Sequence, residues 1–311
     1  MRRAFVNKLT ELVSNDKNIY LLTGDLGFSV FDDFRQRFPS NFINMGLSEA
    51  NMIGVAAGMA IEGKCVFVYS IIPFVTFRVL EQIRNDICLQ RLPVKIVGVG
   101  EGLTYGPSGP THHAIEDIGI MSSLPNMVVL SPGDPVEVEK IVGESVHLSS
   151  PCYIRLGKNG EPVVNSSNSE IKIGVGNVVK DGNDLAIITT GNMLSTCVNV
   201  ANSLEGKGIS AMVVSLHTIK PLDGKLLDTI AQKFEDIFVV EEHISSCGLG
   251  SKVAYYYADK NNNVNLKFIG LPDNFVDTYG QEEFLRKKYC LDESSLEREI
   301  LDCMKRYERK K

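Results

Sequence analysis

Short apolar runs alternate with longer segments of helical periodicity along the first half of the chain. The runs that predict strands are IYLLTG, FINMG, CVFVYS, VKIVGVG, MVVLSP and CYIRLG. Most are apolar at successive positions, which is typical of parallel strands that are covered on both faces by crossover helices. From about residue 157 to residue 184 the chain is instead rich in Gly, Asn and Ser. The strand pattern then restarts with DLAIITTG, ISAMVVSL, DIFVVEEH and LKFIGL.

This pattern predicts an α/β protein with two doubly wound domains, each a mostly parallel sheet with helices on both faces. We expect the first domain to span residues 1–160 and the second, smaller domain to span residues 184–311. Residues 161–183 would form a linker that contains one small hairpin at most.

Composition and charge narrow the class of protein. The chain has 311 residues and a net charge of −6, and no basic face is visible, which argues against nucleic acid as a partner. The longest apolar run, around residues 65–77, is interrupted and too short to span a membrane. Seven cysteines without a CxxC pair suit a reducing, cytoplasmic compartment and give no metal-ligand spacing.

The segment NMGLSEANMIGVAAGMA, residues 44–60, contains a single carboxylate, Glu49, at the start of an apolar helix that Ser48 could cap. The simpler interpretation is an acid in a first helical turn, where its interaction with the helix dipole stabilises the helix by roughly 0.3–1 kcal/mol. However, its sequence neighbours include no Arg or Lys, so a buried Glu49 would hold a proton near neutral pH. Gly54 and Gly58 each disfavour a helix by roughly 1 kcal/mol, so the helix should closely approach a sheet or a partner chain.

A second candidate site is the Gly- and Pro-rich loop that follows VKIVGVG and ends in Thr111, His112 and His113. Loops at the carboxyl ends of parallel strands are where α/β proteins build their sites. Two adjacent histidines on an extended backbone cannot face the same point. One of them is therefore structural, and the sequence leaves open which one faces a substrate.

In this order and spacing, these stretches resemble the pyrimidine-binding and C-terminal domains of transketolase, a thiamine-diphosphate enzyme. Residues 44–60 resemble the family's helix with its cofactor-activating glutamate, and residues 109–112 resemble its GPTH loop. Further similar stretches are RVLEQIRNDICLQRLPVKIVG, AIEDIGIMSSLPNMVVLSPGD, SLHTIKPLD and VVEEHISSCGLGSKVA. The resemblance covers nearly the whole chain and identifies it as the C-terminal subunit of a split transketolase.

The resemblance implies roles for single residues. Glu49 would hydrogen-bond N1′ of the cofactor's aminopyrimidine, and His112 would contact the substrate near the reacting carbon. The implied catalytic residues are Glu49 and His112, the cofactor-binding residues Glu49, Ile71, Phe74 and Phe77, and the substrate-binding residues Ser108, His112, His113 and Arg155. Plain core packing is the alternative for the phenylalanines, and a strand-end surface charge is the alternative for Arg155.

Two departures from the family concern the substrate. Ser108 stands where transketolases usually have an acid that contacts ketose hydroxyls, and near Gly100 the chain lacks another of the family's substrate-contacting histidines. Both suggest a modified sugar in place of the usual pentose phosphates.

A third departure is that the family's diphosphate-binding domain, which holds Mg²⁺, has no match in the sequence. We therefore expect a separate partner subunit that carries this domain and the Mg²⁺. The expected assembly is an α2β2 heterotetramer with a homodimer core.

The implied reaction is transfer of a two-carbon ketol unit between sugars or sugar phosphates, with thiamine diphosphate as cofactor. Two enzymatic alternatives share the fold: the beta subunit of a 2-oxoacid dehydrogenase, and an enzyme similar to deoxyxylulose-phosphate synthase. A non-catalytic binding or regulatory paralogue is the alternative from another class.

Overall fold

The protein consists of two α/β domains, each built on its own sheet. The computed structural model describes residues 1–27, 29–158, 160–262 and 264–308. Within these residues the two sheets have seven and five strands, and most neighbouring strands are parallel. The predicted fold class is therefore confirmed.

Each of the six predicted runs in the first domain forms a strand. These strands are β1 (Ile19–Thr23), β2 (Phe42–Asn44), β3 (Cys65–Ile71), β4 (Lys95–Val99), β5 (Val128–Leu130) and β6 (Cys152–Leu156). The helices are α1 (Arg2–Asn15), α2 (Asp32–Arg37), α3 (Glu49–Ile61), α4 (Ile72–Val75), α5 (Leu80–Gln82), α6 (Asp117–Ser123) and α7 (Pro135–Ser145). The six strands are parallel and lie in the order β5-β6-β4-β3-β1-β2.

The second half of the chain repeats this architecture on a smaller scale. Its strands are β7 (Asn177–Lys180), β8 (Leu185–Thr189), β9 (Ala211–Ser215), β10 (Thr218–Lys220), β11 (Asp236–Ile244) and β12 (Asn265–Leu271). Its helices are α8 (Leu194–Glu205), α9 (Gly224–Lys233), α10 (Leu249–Asp259), α11 (Glu282–Lys288) and α12 (Glu293–Glu308). The second sheet has the order β12-β11-β8-β9-β7.

The structure differs from the predicted organisation in two places. Strand β7 lies inside the predicted linker and pairs antiparallel with β9. Strand β10, from the second half of the chain, pairs antiparallel with β5 and so extends the first sheet. Both are edge strands of three or four residues with mixed polarity, and such strands give little periodic signal.

Alternate residues of each strand pack on opposite faces of the sheet. In the first domain Leu21 and Phe67 belong to the apolar layer beneath α1 and α7, whereas Leu22 and Val68 belong to the layer beneath α3. Each fully buried side chain of this size contributes roughly 1.5–3 kcal/mol. The helices of the described residues are too short or too polar to cross a membrane.

The fold brings three connections to one edge of the first sheet. Strands β4, β3, β1 and β2 are adjacent and parallel, so their carboxyl ends lie side by side. Strand β2 leads into α3, β3 leads into α4, and β4 leads into the loop of residues 100–113. These connections carry Glu49, Phe74 and His112, so these three predicted site residues lie at the same edge.

Candidate active site

Glu49 is the first residue of α3, and its side chain is 1% exposed. Its Oε2 atom accepts a hydrogen bond from Nη1 of Arg78 at 2.9 Å, and its Oε1 atom lies 3.4 Å from Oγ of Ser70. The expectation that Glu49 has no cation nearby is therefore wrong. Ser48 occupies the N-cap position, but its side chain makes no capping hydrogen bond.

Arg78 connects Glu49 to an aromatic ring. The central carbon of its guanidinium group lies 4.2 Å from the centroid of the Phe74 ring, within the range of a cation–π contact. The Phe74 ring in turn makes an edge contact with His112, with centroids 5.2 Å apart and ring planes at 69°. Glu49, Arg78, Phe74 and His112 thus form one continuous set of contacts, which we name the site series.

Ile71 and Phe77 flank this series. Ile71 ends β3 and is buried in the core layer that Phe74 packs against. Phe77 is half-buried two residues beyond the end of α4 and lies outside the series. Their contact with a cofactor stays a prediction.

The two adjacent histidines have different environments. His112 is half-buried, and its Nδ1 atom lies 3.0 Å from Oγ1 of Thr111. His113 is 2% exposed, and burial lowers the pKa of its imidazole. His113 is thus an interior residue and His112 is the one beside Phe74. Ser108 is exposed in a short turn of the same loop.

Arg155 lies in the interior of the protein, on β6, with a side chain that is 1% exposed. Its Nε donates to Asp117 and its Nη1 to Glu101, both at 2.9 Å. Its Nη2 donates to the carbonyl oxygens of Ala114 and Glu242. This burial rules out a surface position and leaves Arg155 outside the site series, and its contact with a sugar phosphate stays a prediction.

Sequence reasoning missed Arg78 because it considered only the neighbours of Glu49 along the chain. The signal that could have found it is topological, since β1 lies between β2 and β3 in the sheet and the segments that follow β2 and β3 share one edge. Within the described residues, no group of three or more His, Cys, Asp or Glu side chains is arranged to hold a metal ion.

Comparison with known proteins agrees with this architecture. The family described as the transketolase pyrimidine-binding domain matches residues 1–161, and the transketolase C-terminal domain matches residues 174–295. A chain named as the C-terminal section of a transketolase in Methanocaldococcus jannaschii is 36% identical, over 98% of this chain and 96% of the relative. One of the subunits of an apulose-4-phosphate transketolase from Phocaeicola vulgatus is 34% identical, over 98% of this chain and 97% of the relative.

A solved structure is similar over the same length. It is described as a split gene transketolase in the form of an inactive β4 tetramer. The TM-score is 0.90 and the sequence identity 35%, with 97% of each chain covered. The chain therefore belongs to the transketolase family, as a split-type chain with the pyrimidine-binding and C-terminal domains.

Proposed function

We propose that this chain supplies the pyrimidine-binding half of a thiamine-diphosphate site, and that the assembled enzyme transfers a two-carbon ketol unit between sugars. The observation that carries the proposal is the site series. A buried carboxylate, an arginine, an aromatic ring and a histidine lie in consecutive contact at the edge of the sheet where α/β proteins build their sites.

The residues of this chain fit an aminopyrimidine ring. Such a ring needs a carboxylate acceptor for one of its nitrogens and an apolar wall, and Glu49, Phe74 and Ile71 provide these groups. We propose that Glu49 exchanges a proton with the ring and that Phe74 and Phe77 orient it. When bound, thiamine diphosphate would supply a nucleophilic carbon for reaction with the sugar carbonyl. His112 would hydrogen-bond the sugar close to that carbonyl.

We propose that a partner subunit completes the site by holding the diphosphate through Mg²⁺, in an α2β2 heterotetramer with a homodimer core. The names of the relatives as a section or a subunit support a separate partner. Gly54 and Gly58 on α3 add support: both are exposed, and no atom lies within 4 Å of the place where a Cβ would stand. The close approach that would offset their helix cost is therefore not made to this chain's own sheet.

We propose a modified sugar or sugar phosphate as substrate. Ser108 is exposed in the loop that carries His112 and offers a hydroxyl where the family usually has a carboxylate. One relative is named for apulose 4-phosphate, which supports unusual sugars in this group. Turnover of xylulose 5-phosphate and ribose 5-phosphate at the rate of an ordinary transketolase would exclude the proposal.

We also propose a cytoplasmic location. No two cysteines of the described residues form a disulfide bond, in keeping with a reducing compartment.

The first experiment is native mass spectrometry of the tagged protein purified from its own host, with identification of any bound cofactor. An equal number of chains of a second polypeptide, together with thiamine diphosphate, would support the half-site. A cofactor-free homo-oligomer would favour a binding or regulatory paralogue instead.

The recovered complex then allows two tests of the chemistry. Glu49→Gln should lower kcat for ketol transfer by about 10²–10⁴-fold while the protein stays folded. Release of CO₂ from pyruvate would instead point to the 2-oxoacid dehydrogenase or deoxyxylulose-phosphate-synthase alternatives, because ketol transfer between sugars releases none.

A further inference from the structure

The loop that carries His112 rests directly on the second domain. Three of its glycines face that domain at positions where a Cβ atom would come within 3.0 Å of another atom. The neighbours are the Glu242 carboxylate for Gly102, the Gly280 carbonyl oxygen for Gly106, and the Tyr279 ring for Gly109. Gly102 and Gly109 also have φ angles of +57° and +77°, which glycine adopts most easily. The loop therefore has no space for a side chain at these three positions.

Glu242 is the residue of the second domain that binds this loop. It lies on β11 and is fully buried, and its Oε2 atom accepts hydrogen bonds from the backbone N of Leu103 at 3.1 Å and from Nδ2 of Asn192 at 2.9 Å. Its Oε1 atom accepts from Nε of Arg286 at 2.6 Å. Burial alone would raise the pKa of Glu242, but Arg286 and these hydrogen bonds lower it. The carboxylate is thus an ionised link between the loop and two elements of the second domain.

A ladder of backbone hydrogen bonds leads from this link to His112. The N–H of Gly106 donates to Leu103 O at 2.8 Å, the N–H of Gly109 donates to Gly106 O at 3.2 Å, and the N–H of His112 donates to Gly109 O at 2.9 Å. Because Glu242 accepts a hydrogen bond from Leu103, the second domain fixes the first residue of this ladder, and the ladder in turn fixes the backbone position of His112.

We propose that Glu242 is a positioning residue that sets the location of His112 through this ladder. The inference rests on the proposed function, because that function gives His112 its contact with the sugar. It assigns the second domain, which contains none of the site series, a part in substrate binding. It also gives a role to Glu242 in the Glu-Glu-His stretch of β11, to which the proposed function assigns none.

Hydrogen exchange of the free chain tests the structural half of this proposal. Glu242→Gln keeps the size of the side chain but removes the charge that strengthens its bond to Leu103. We expect exchange in the peptide of residues 101–113 to accelerate about tenfold. Glu241→Gln is the matched control, since Glu241 is equally buried on β11 but accepts from the backbone of Leu249 and Gly250 within its own domain. Unchanged exchange in the first variant, or equal acceleration in both, would overturn the proposal.

Kinetics of the enzyme assembled with its partner subunit test the functional half. We expect Glu242→Gln to lower kcat/KM for the sugar about tenfold and to leave KM for thiamine diphosphate unchanged, because Glu49 and Phe74 lie on other elements. In a His112→Ala background, Glu242→Gln should have no further effect, whereas a merely structural change would multiply with it. Losses that multiply in the double variant would contradict the proposal.

These experiments distinguish a failure of the proposed substrate contact of His112 from a failure of the positioning role of Glu242. If His112→Ala leaves ketol transfer unchanged, the proposed substrate contact fails, whatever the exchange data show. If His112→Ala impairs transfer but Glu242→Gln does not, only the positioning role fails.

Should Glu242→Gln not fold, Arg286→Gln removes the donor to the other carboxylate oxygen and should accelerate exchange of the same peptide to a smaller extent. No acceleration in Arg286→Gln would count against the proposal.

Discussion

Nη1 of Arg78 lies 2.9 Å from Oε2 of Glu49, and the two residues differ sharply in exposure. The Glu49 side chain is 1% exposed, whereas that of Arg78 is 51% exposed. A buried carboxylate is thus neutralised by an arginine that reaches it from the solvent side. The same guanidinium group covers the Phe74 ring, so one side chain joins the charged and the aromatic parts of the candidate site.

Removing Arg78 should destabilise the chain by leaving this carboxylate unpaired. We expect Arg78→Met to lower the free energy of unfolding by about 1–3 kcal/mol, less than for a fully buried pair because Arg78 is half exposed. Arg84→Met is the matched control, since Arg84 is exposed on the same segment and its guanidinium group donates to the Asn85 side chain, not to a carboxylate. It should change stability by no more than about 0.5 kcal/mol. Urea unfolding at pH 7 measures both variants.

A double-mutant cycle identifies the cause of that loss. Adding Glu49→Gln to Arg78→Met should recover most of the lost stability, because a neutral amide needs no counterion. If the stability losses of Arg78→Met and Glu49→Gln simply add in the double variant, then the ion pair between Arg78 and Glu49 does not stabilise the protein.

The two histidines should respond differently to substitution. His112→Ala should leave the unfolding free energy within about 0.5 kcal/mol of the wild type but lower kcat/KM of the assembled enzyme for the sugar, by about 10–100-fold. His113→Ala should destabilise the chain by about 1–3 kcal/mol, because its ring is buried. Thermal and urea unfolding, with steady-state kinetics, measure both effects. A catalytic defect confined to His113→Ala would reverse the assignment.

The strand pattern predicted the fold well because it depends on local sequence. All ten apolar runs became strands, and their alternating residues cover both faces of each sheet. Strands β7 and β10 were not predicted because each is short and lies at the edge of a sheet. Each pairs antiparallel with a strand that is distant in the sequence. Such pairings depend on tertiary contacts that periodicity does not record.

The candidate site was predictable only where a single segment determines it. Glu49 and His112 could be selected from their own segments, and the structure brings both into the site series with Phe74. Arg78 could not be selected in this way, because its contact with Glu49 joins two crossover connections. The burial of Arg155 could not be predicted for a related reason, since it depends on Asp117 and on a carbonyl from the second domain.

Glu101 should make the stability of the chain depend on pH. It is fully buried, and burial raises its pKa from 4.5 to about 8 against the opposing effect of Arg155. A carboxyl with a raised pKa binds its proton more tightly in the folded chain, so the stability that Glu101 contributes is fully present below pH 4.5 and is lost as the pH rises toward 8. Burial raises the pKa values of Glu137 and Glu241 to about 7, which gives the same sign.

The measurement is urea unfolding of the wild type and of Glu101→Gln between pH 5 and pH 8.5. The contribution of one such group is at most about 1.4 kcal/mol per pH unit. We expect the decline of stability with pH to be shallower in Glu101→Gln, because the amide has no proton to lose. Glu11→Gln, at an exposed position on α1, should decline as the wild type does. Equal slopes in all three proteins would show that Glu101 is ionised in the fold.

Gly106 and Gly58 should respond to alanine in opposite directions. A Cβ at Gly106 would come within 3.0 Å of the Gly280 backbone oxygen, which no rotamer change can relieve, so Gly106→Ala should destabilise the chain by about 1–3 kcal/mol. Gly58 lies on an exposed face of α3 with no atom within 4 Å of the Cβ position. Gly58→Ala should therefore stabilise the free chain by about 0.5–1 kcal/mol through its higher helix propensity. Urea unfolding of the free chain measures both, and a stabilising Gly106→Ala would show that the loop can leave the second domain without loss.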